Sequence, residues 1–344
     1  MKNIFLTLIF SLVIVLGFSQ TPQIALVKPN GTTTIHSTFD AAYTASTDDD
    51  YIYLPGGTFA VIAIQKRIHI VGAGYNEDST LVTGTTKLPY IYIYQEGAGG
   101  SIEGIKFTSN NCGNILFENS GGTLTPNSYT ISNCFIKDGI KFNNSAGLIW
   151  SNVTIKNNMI GTQGCTNFGP YSISGSITNS FISNNILLND IGGGSGLEVS
   201  NNIFFQESNL DLYGPNSTYK NNIFLSTATA STYDNVFHNN VNINPQSNQN
   251  NEVYNNVIET FSDIFINPGN TPFTYDVSNN YHIKSTSACK NSGYDGTDRG
   301  IYGGAFPWQE GSLPSNPHIY YKNVASTTNA SGQLQVQYKV RTGN

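Results

Sequence analysis

A short phrase of the form apolar-x-Asn-Asn-apolar recurs along the chain and is its strongest pattern. Ile182-Ser-Asn184-Asn185-Ile186 is typical, because β-branched or aromatic residues stand on both sides of the polar pair. Eight copies occur, one with Cys134 as the second member, and their first residues are Asn133, Asn157, Asn184, Asn201, Asn221, Asn239, Asn255 and Asn279. The steps between them run from 16 to 27 residues, and a repeat of this size predicts a solenoid.

Each copy predicts strand, turn and strand, which corresponds to one coil of a parallel β-helix. Earlier segments at 102–107, 115–117 and 140–142 lack the double Asn but keep apolar residues two apart, which face a common interior. We expect about ten coils stacked at strand spacing. The Asn pairs are predicted to be structural, because Asn tolerates the left-handed backbone of a corner and stacked Asn amides hydrogen-bond between coils.

Both ends carry segments that could cap the solenoid. Ile35, Phe39, Ala42 and Tyr43 have helical spacing within residues 34–48 and predict a helical cap before the first strand. Beyond residue 306, Ile319–Val324 and Leu334–Val340 predict the two strands of a hairpin around a turn-rich loop. This hairpin either packs against the last coil, the interpretation we favour because an open strand edge needs cover, or docks a partner.

The opening strands resemble a known superfamily. Tyr51-Ile-Tyr-Leu-Pro-Gly-Gly-Thr-Phe59 and Ile68-His-Ile-Val-Gly-Ala-Gly74 are similar to the N-terminal cap and first coils of pectate-lyase-like right-handed parallel β-helices, and residues 263–304 look like the closing coil of secreted bacterial members. The resemblance covers about residues 32–305. It implies an all-β fold, a right-handed parallel β-helix with an N-terminal helical cap and a C-terminal β extension, and leaves activity open.

Three segments are predicted along the chain: a secretory signal peptide at 1–19, the β-helix domain at 20–305 with its cap at about 32–60, and the C-terminal extension at 306–344. The leader has Lys2 before an apolar run that ends at Phe18, too short to span a bilayer comfortably. No later segment of the sequence is apolar enough to cross a membrane. We therefore expect a secreted or cell-surface protein.

Composition excludes several classes of function. Only 11% of residues are charged, the net charge is -6 and no basic patch stands out, which excludes nucleic acid as a partner. The four Cys and five His residues lack the spacing of metal ligands, so no metal site is predicted. We interpret the cysteines as single buried residues, with a disulfide as the alternative that an oxidising compartment permits.

The resemblance implies a specific chemistry to look for, the β-elimination of acidic polysaccharides by a basic residue beside bound calcium. Arg occurs only at positions 67, 299 and 341, away from the middle of the β-helix, and the Gly-His-Gly motif of related polygalacturonases is missing. The remaining catalytic candidates are Lys106 and Lys141, expected to share a face with Glu103 and Asp138, and Glu198 and Asp211, expected near Asp190 and Glu207. Alternatively these charges only solvate the strands.

One strand carries a candidate binding surface. In Tyr90-Ile-Tyr92-Ile-Tyr94 the alternation points Ile91 and Ile93 inward and the three tyrosines outward, where sugar rings could stack on them. The alternative is that a loop or the terminal hairpin covers the rings.

Two classes of function follow. The first is a non-catalytic secreted or cell-surface protein, expected to be monomeric, that binds a polysaccharide, a cell-surface glycan or another extracellular surface. The second is a polysaccharide lyase or glycosidase that acts on an acidic polysaccharide. Because no catalytic constellation is recognisable, the sequence favours the first class. No cofactor is predicted, apart from calcium if the protein is a lyase.

Overall fold

The chain winds through three β-sheets whose strands pair in parallel from coil to coil, and the third sheet ends at an earlier coil than the other two. The computed structural model describes residues 23–109, 114–121, 126–143, 147–161, 171–206, 212, 214–230, 232–245, 249–270 and 273–342. The architecture is the right-handed parallel β-helix that the sequence predicts, the hand that crossovers between parallel strands take almost without exception.

In order along a coil we call these the first, second and third sheets, and their strand bounds are as follows. The parallel strands of the first sheet are Tyr51–Tyr53, His69–Val71, Ser101–Glu103, Asn127–Ser132, Trp150–Lys156, Phe181–Ser183, Glu198–Ser200, Thr218–Lys220, Val236–His238 and Glu252–Tyr254, with Ile177–Thr178 beside them. Those of the second sheet are Gly57–Thr58, Thr86–Leu88, Lys106–Phe107, Phe135–Ile136, Met159–Ile160, Ile186–Leu187, Ile203–Phe204, Ile223–Ala230 and Val241–Pro245. Those of the third are Ala63–Ile64, Ile91–Tyr94, Ile115–Glu118, Ile140–Phe142, Tyr171–Gly175 and Asp190–Gly192.

The interior is a column of apolar side chains that stay in register from coil to coil. One row of the first sheet is fully buried and runs through Ile52, Ile70, Ile102, Ile131, Ile155, Ile182, Val199, Tyr219 and Phe237. Aromatic rings also stack between neighbouring coils, as Phe117 does on Phe142 with 4.3 Å between ring centroids. Burial of this column is the main source of stability for the fold.

The two members of each Asn pair have different tasks. The first member adopts the left-handed backbone at the corner between the first and second sheets, with φ of 50° to 57° at Asn133, Asn157, Asn184, Asn201, Asn221, Asn239 and Asn255. The second member is inside. Its side chains form a ladder with amide-to-oxygen distances of 3.0 to 3.2 Å through Asn158, Asn185, Asn202, Asn222, Asn240 and Asn256. Both structural predictions for the pairs are thus confirmed.

The eighth copy of the phrase does not form a coil, and the prediction that it does is wrong. Asn280 begins the strand Asn280–Ile283, which pairs antiparallel with Phe265–Asn267 after the short helix Phe261–Ile264. Tyr281 and Ile283 are buried against the outside of the second sheet instead of entering the interior. The phrase alone therefore does not determine a coil.

Residues 258–315, which we call the outer segment, run back along the outside of the β-helix. They were expected to include a closing coil, but they cover the outer face of the second sheet and form a second core with it. Trp308 and Phe265 of the outer segment lie in this core together with Ile186 and Ile203 of the sheet. Apolar residues therefore line both faces of the second sheet, and burying the outer face determines the path of the segment.

The first Asn of each pair, in successive coils, forms side-chain hydrogen bonds with the backbone of the outer segment. The side-chain amides of Asn239, Asn201 and Asn157 donate to the carbonyls of Ser292 (2.7 Å), Gly300 (3.3 Å) and Pro307 (3.4 Å), respectively. Asn184 donates to the carbonyls of Ile301 and Gly303, and Asn221 accepts from the backbone N–H of Tyr294.

A hairpin covers the first coil, and a short helix follows the hairpin along the chain. Strands Ile24–Val27 and Thr33–His36 form this N-terminal hairpin, and its first strand pairs antiparallel with Tyr51–Tyr53. The helix is Phe39–Ala45, with Thr38 as N-cap. Ile35, placed on the helix by its spacing, belongs to the hairpin and is 57% exposed. The backbone of residues 33–36 pairs with the first strand, which outweighs their helical spacing.

The C-terminal strands His318–Val324 and Val336–Arg341 form an antiparallel pair, which we call the terminal hairpin. The interpretation that it packs on the last coil is wrong. The chain reaches it from Ser315, whose backbone N–H donates to Glu103 on an early coil at 2.9 Å, and every residue of both strands except His318 is exposed.

Candidate functional site

The outward side of the third sheet carries the three candidate tyrosines. Ile91 and Ile93 are fully buried, whereas Tyr90, Tyr92 and Tyr94 are half-buried and point away from the interior. The rings of Tyr90 and Tyr92 meet edge to face, with centroids 5.5 Å apart. The strand alternation therefore produces a tyrosine stripe that is neither enclosed nor fully exposed.

Strand register places polar side chains beside these rings. Tyr94 is level with Glu118, whose carboxylate accepts from the Asn143 side chain at 2.8 Å. The row of Tyr92 continues across Leu116 to Lys141. We call Tyr90, Tyr92, Tyr94, Glu118 and Lys141 the tyrosine face.

The tyrosine face offers hydroxyl, carboxylate and amine groups around aromatic rings. Burial raises the pKa of Tyr92, and the neighbouring Tyr90 and Glu118 raise it further. Its phenol is therefore neutral at physiological pH and can donate a hydrogen bond. A face of this kind can stack on the apolar side of a sugar ring and hydrogen-bond to its hydroxyl groups.

The three catalytic candidates that the structure describes do not come together. Lys141 lies on the third sheet, Lys106 on the second and Glu198 on the first, while Asp211 is outside the described residues. Lys106 forms an ion pair with Glu77 at 3.0 Å, and Glu198 forms one with Lys220 at 2.7 Å. Corners of the coil separate the three sheets, so these side chains cannot act on one bond.

The expected groupings around them are also wrong. The corner at Gly104 and Ile105 separates Glu103 from Lys106, and Glu103 instead accepts from the side chain of Asn133 at 2.9 Å. Asp190 is 3% exposed and accepts from Gln206, so it does not join Glu198 in an acidic cluster on the surface. Glu207 lies outside the described residues. Alternation predicts which side chains point outward, but not which sheet they belong to.

A concave surface, which the sequence analysis missed, lies where the outer segment meets the early coils. The cavity has a volume of about 480 Å³ and is lined by Tyr75, Asn76, Glu77, Asp78, Lys106, Phe135, Met159, Tyr275, Asp276, Val277, Trp308, Glu310 and Gly311. The hydrogen bond from Lys106 holds the pKa of Glu77 below its usual value. Because this ion pair engages Lys106, the basic residue among those that line the groove, we regard the groove as secondary to the tyrosine face.

Cysteine and metal chemistry give no further site among the described residues. Cys134 lies in the interior and Cys289 in the core under the outer segment, and both are free thiols. Burial raises the pKa of each thiol to about 12, which keeps them protonated and unreactive. Cys112 and Cys165 are outside the described residues. In the described part of the chain, no three His, Cys, Asp or Glu side chains form a group that could hold a metal ion.

Comparisons with known proteins carry no argument about the function of this chain. No family model and no curated protein matches this chain. One solved structure that matches is the A-module of mannuronan C-5 epimerase AlgE4 from Azotobacter vinelandii, at 14% identity over 65% of this chain and 71% of that chain. Its TM-score of 0.31 is too low for the match to bear on activity. No helix among the described residues is long and apolar enough to span a membrane.

Proposed function

We propose that the protein is a secreted or cell-surface β-helix that binds a polysaccharide through the tyrosine face without cleaving it. The observation that carries this proposal is the contrast along one strand. Ile91 and Ile93 are fully buried, while the three tyrosines between and beside them are outside and partly accessible.

Polysaccharide fits this face better than other ligands because of its spacing and chemistry. Neighbouring strands lie about 4.8 Å apart, so a chain laid across the sheet meets a new side chain at each strand. Tyr92 supplies a ring for stacking, and Glu118 and Lys141 supply hydrogen bonds on the following strands. Half-buried rings are also held in place, which lowers the entropy lost on binding.

The alternative function is a lyase or glycosidase. Lys141 is the catalytic candidate that shares the tyrosine face and would be the base in β-elimination, with calcium as the cofactor. The dispersal of the other described candidates over different sheets favours binding without catalysis.

Retention on a panel of insoluble polysaccharides tests the proposal. The variant Tyr90→Ser/Tyr92→Ser/Tyr94→Ser should weaken binding to the retained polysaccharide by about tenfold or more, since each stacking contact is worth about 0.5 to 1.5 kcal/mol. The matched control is Tyr320→Ser/Tyr321→Ser/Tyr338→Ser, which removes three exposed rings of the terminal hairpin and should bind like the wild type.

The outcomes separate the two functions. A wild-type protein that no polysaccharide retains, or a triple variant that folds and binds normally, overturns glycan binding at this face. Release of unsaturated uronate, followed by its ultraviolet absorbance and lost in Lys141→Ala, would establish the lyase instead.

A further inference from the structure

The last coil of the β-helix is open. Its strand in the first sheet is Glu252–Tyr254, and Val253 continues the interior row after Tyr219 and Phe237. Those two side chains are fully buried, but Val253 is 50% exposed because no coil follows it. Ile258, six residues after Glu252, is 90% exposed. An interior row thus ends in solvent at this end of the molecule.

Among the described residues, no strand pairs with the outer edge of Glu252–Tyr254. Glu252 donates its N–H to Asn235 at 2.8 Å, and Tyr254 accepts from Asn239 at 3.0 Å, so both turn their backbone groups toward the preceding coil. Backbone groups of successive strand residues point in opposite directions, and those of Val253 therefore face outward along the helix axis. The strand contains neither Pro nor Lys, two residues that protect exposed edges.

The opposite end of the molecule is covered. The N-terminal hairpin pairs antiparallel with Tyr51–Tyr53, and Ile24 and Leu26 of the hairpin are buried against the first coil. Each molecule thus has one open end and one end that is closed by the hairpin.

We propose that the open end binds a second copy of this chain, tail to tail, to form a two-fold symmetric dimer. Antiparallel pairing centred on Val253 would let the two Val253 residues exchange both backbone hydrogen bonds, which is one of the two pair types of antiparallel sheets. The same register sets Glu252 of each copy opposite Tyr254 of the other. These two side chains already form a hydrogen bond within the chain, with Tyr254 donating to Glu252 at 2.8 Å.

A second copy of this chain presents an identical strand edge and can therefore pair with this one. The contact is self-complementary, and a two-fold operation uses up both open ends, so assembly stops at the dimer. The sequence alone leads us to expect a monomer, and the exposed interior row changes that expectation. The interface is independent of the tyrosine face, which lies on the third sheet.

The mass of the full chain in solution, measured by light scattering over a dilution series, tests the dimer. The wild type should have twice the mass of one chain and dissociate on dilution. Val253→Lys places a charge at the centre of the pairing and should halve the mass. The matched control is Ile35→Lys, which changes a similarly exposed apolar residue at the closed end and should leave the mass doubled.

Hydrogen exchange of the wild type gives a readout that does not depend on a variant. The amide of Val253 should exchange slowly when the protein is concentrated and quickly when it is dilute. A wild type that is monomeric at all concentrations overturns the proposal. So does a dimer that survives Val253→Lys, or one that Tyr338→Lys on the terminal hairpin dissociates.

Discussion

The side-chain oxygen of Asn202 accepts two hydrogen bonds from Asn185, one from its backbone N–H at 2.9 Å and one from its side-chain amide at 3.0 Å. Both residues are fully buried. Each Asn of the ladder therefore accepts hydrogen bonds from both the backbone and the side chain of the Asn in the preceding coil. The ladder is thus part of the backbone hydrogen bonding that joins the coils.

Replacing Asn202 by Val should lower the free energy of unfolding by about 3 kcal/mol, because two buried donors of Asn185 lose their acceptor and each unsatisfied group costs about 1 to 3 kcal/mol. Asn201→Val should cost about 1 to 2 kcal/mol through its left-handed backbone, and Asn201→Gly, which keeps that backbone, should cost less. Denaturant unfolding measures all three. Equal losses for Asn202→Val and Asn201→Gly would contradict the division of tasks within the pair.

The tyrosine face should contribute to stability as well as to binding. Half-buried rings contribute about 1 kcal/mol each, roughly half of what full burial gives, so the triple Ser variant at positions 90, 92 and 94 should remain folded with a lowered melting temperature. Circular dichroism and thermal melting measure this. Complete loss of folding would mean that the rings are enclosed, as in the alternative interpretation of the stripe.

Asp50 makes the N-terminal end sensitive to acid. Burial of this carboxylate raises its pKa, but hydrogen bonds from Thr47 and the ammonium of Lys28 at 3.2 Å outweigh that effect, and the net pKa lies below the usual value. The stabilisation is therefore present above the unfolded-state pKa of about 3.9 and is lost as the pH falls through the lower folded-state value.

The variant Asp50→Asn tests that linkage. It should lose about 2 kcal/mol near neutral pH, the typical contribution of hydrogen bonds to a charged group, and should show a smaller further loss in acid than the wild type. Urea unfolding at neutral pH and at a pH below the carboxylate range measures both. If the free energy of unfolding falls equally in acid for the two proteins, Asp50 does not contribute to the acid sensitivity.

Lys106 should be dispensable for glycan binding. Its ion pair with Glu77 lies at the groove beside the outer segment, away from the tyrosine face. Lys106→Ala should leave polysaccharide retention unchanged, and because Glu77 is largely exposed the effect on stability should be small. Loss of retention in this variant, with retention preserved in the triple Ser variant, would move the binding site to the groove.

The predicted leader gives a direct test of export. Cleavage after Ser19 should leave Gln20 as the N-terminal residue of the protein recovered outside the cell, either free or cyclised. Mass spectrometry of the intact protein and of its N-terminal peptide identifies that residue. An exported protein that still carries Lys2 would contradict the signal peptide.

The sequence predicts the coils well because period-two alternation and Asn corners are local properties. Ile91 and Ile93 point inward as their spacing requires, and Asn184 turns the corner that its neighbours imply. Prediction from the sequence fails where segments that are distant along the chain come into contact. Asn279 has the same neighbours as the Asn residues of the coils but lies in the outer segment, where contacts with the second sheet determine its place.

The sequence also contains a signal for the outer segment. Strands such as Ile186–Leu187 and Ile203–Phe204 carry apolar residues at both positions, and a strand that is apolar on both faces must be covered on both. That signal predicts a cover over the second sheet without identifying it. The separation of Glu103 from Lys106 carries no such signal, because a corner of two residues looks like a continuing strand.

The hydrogen bonds between the corner Asn side chains and the backbone of residues 292–307 couple the number of coils to the length of the outer segment. Asn239, Asn221, Asn201, Asn184 and Asn157 meet the segment in the reverse of their order along the sequence. A coil cannot be inserted or deleted in this region without a matching change in the residues that run past it. In a solenoid without such a segment the number of coils is free to vary, whereas here the length of the outer segment sets it.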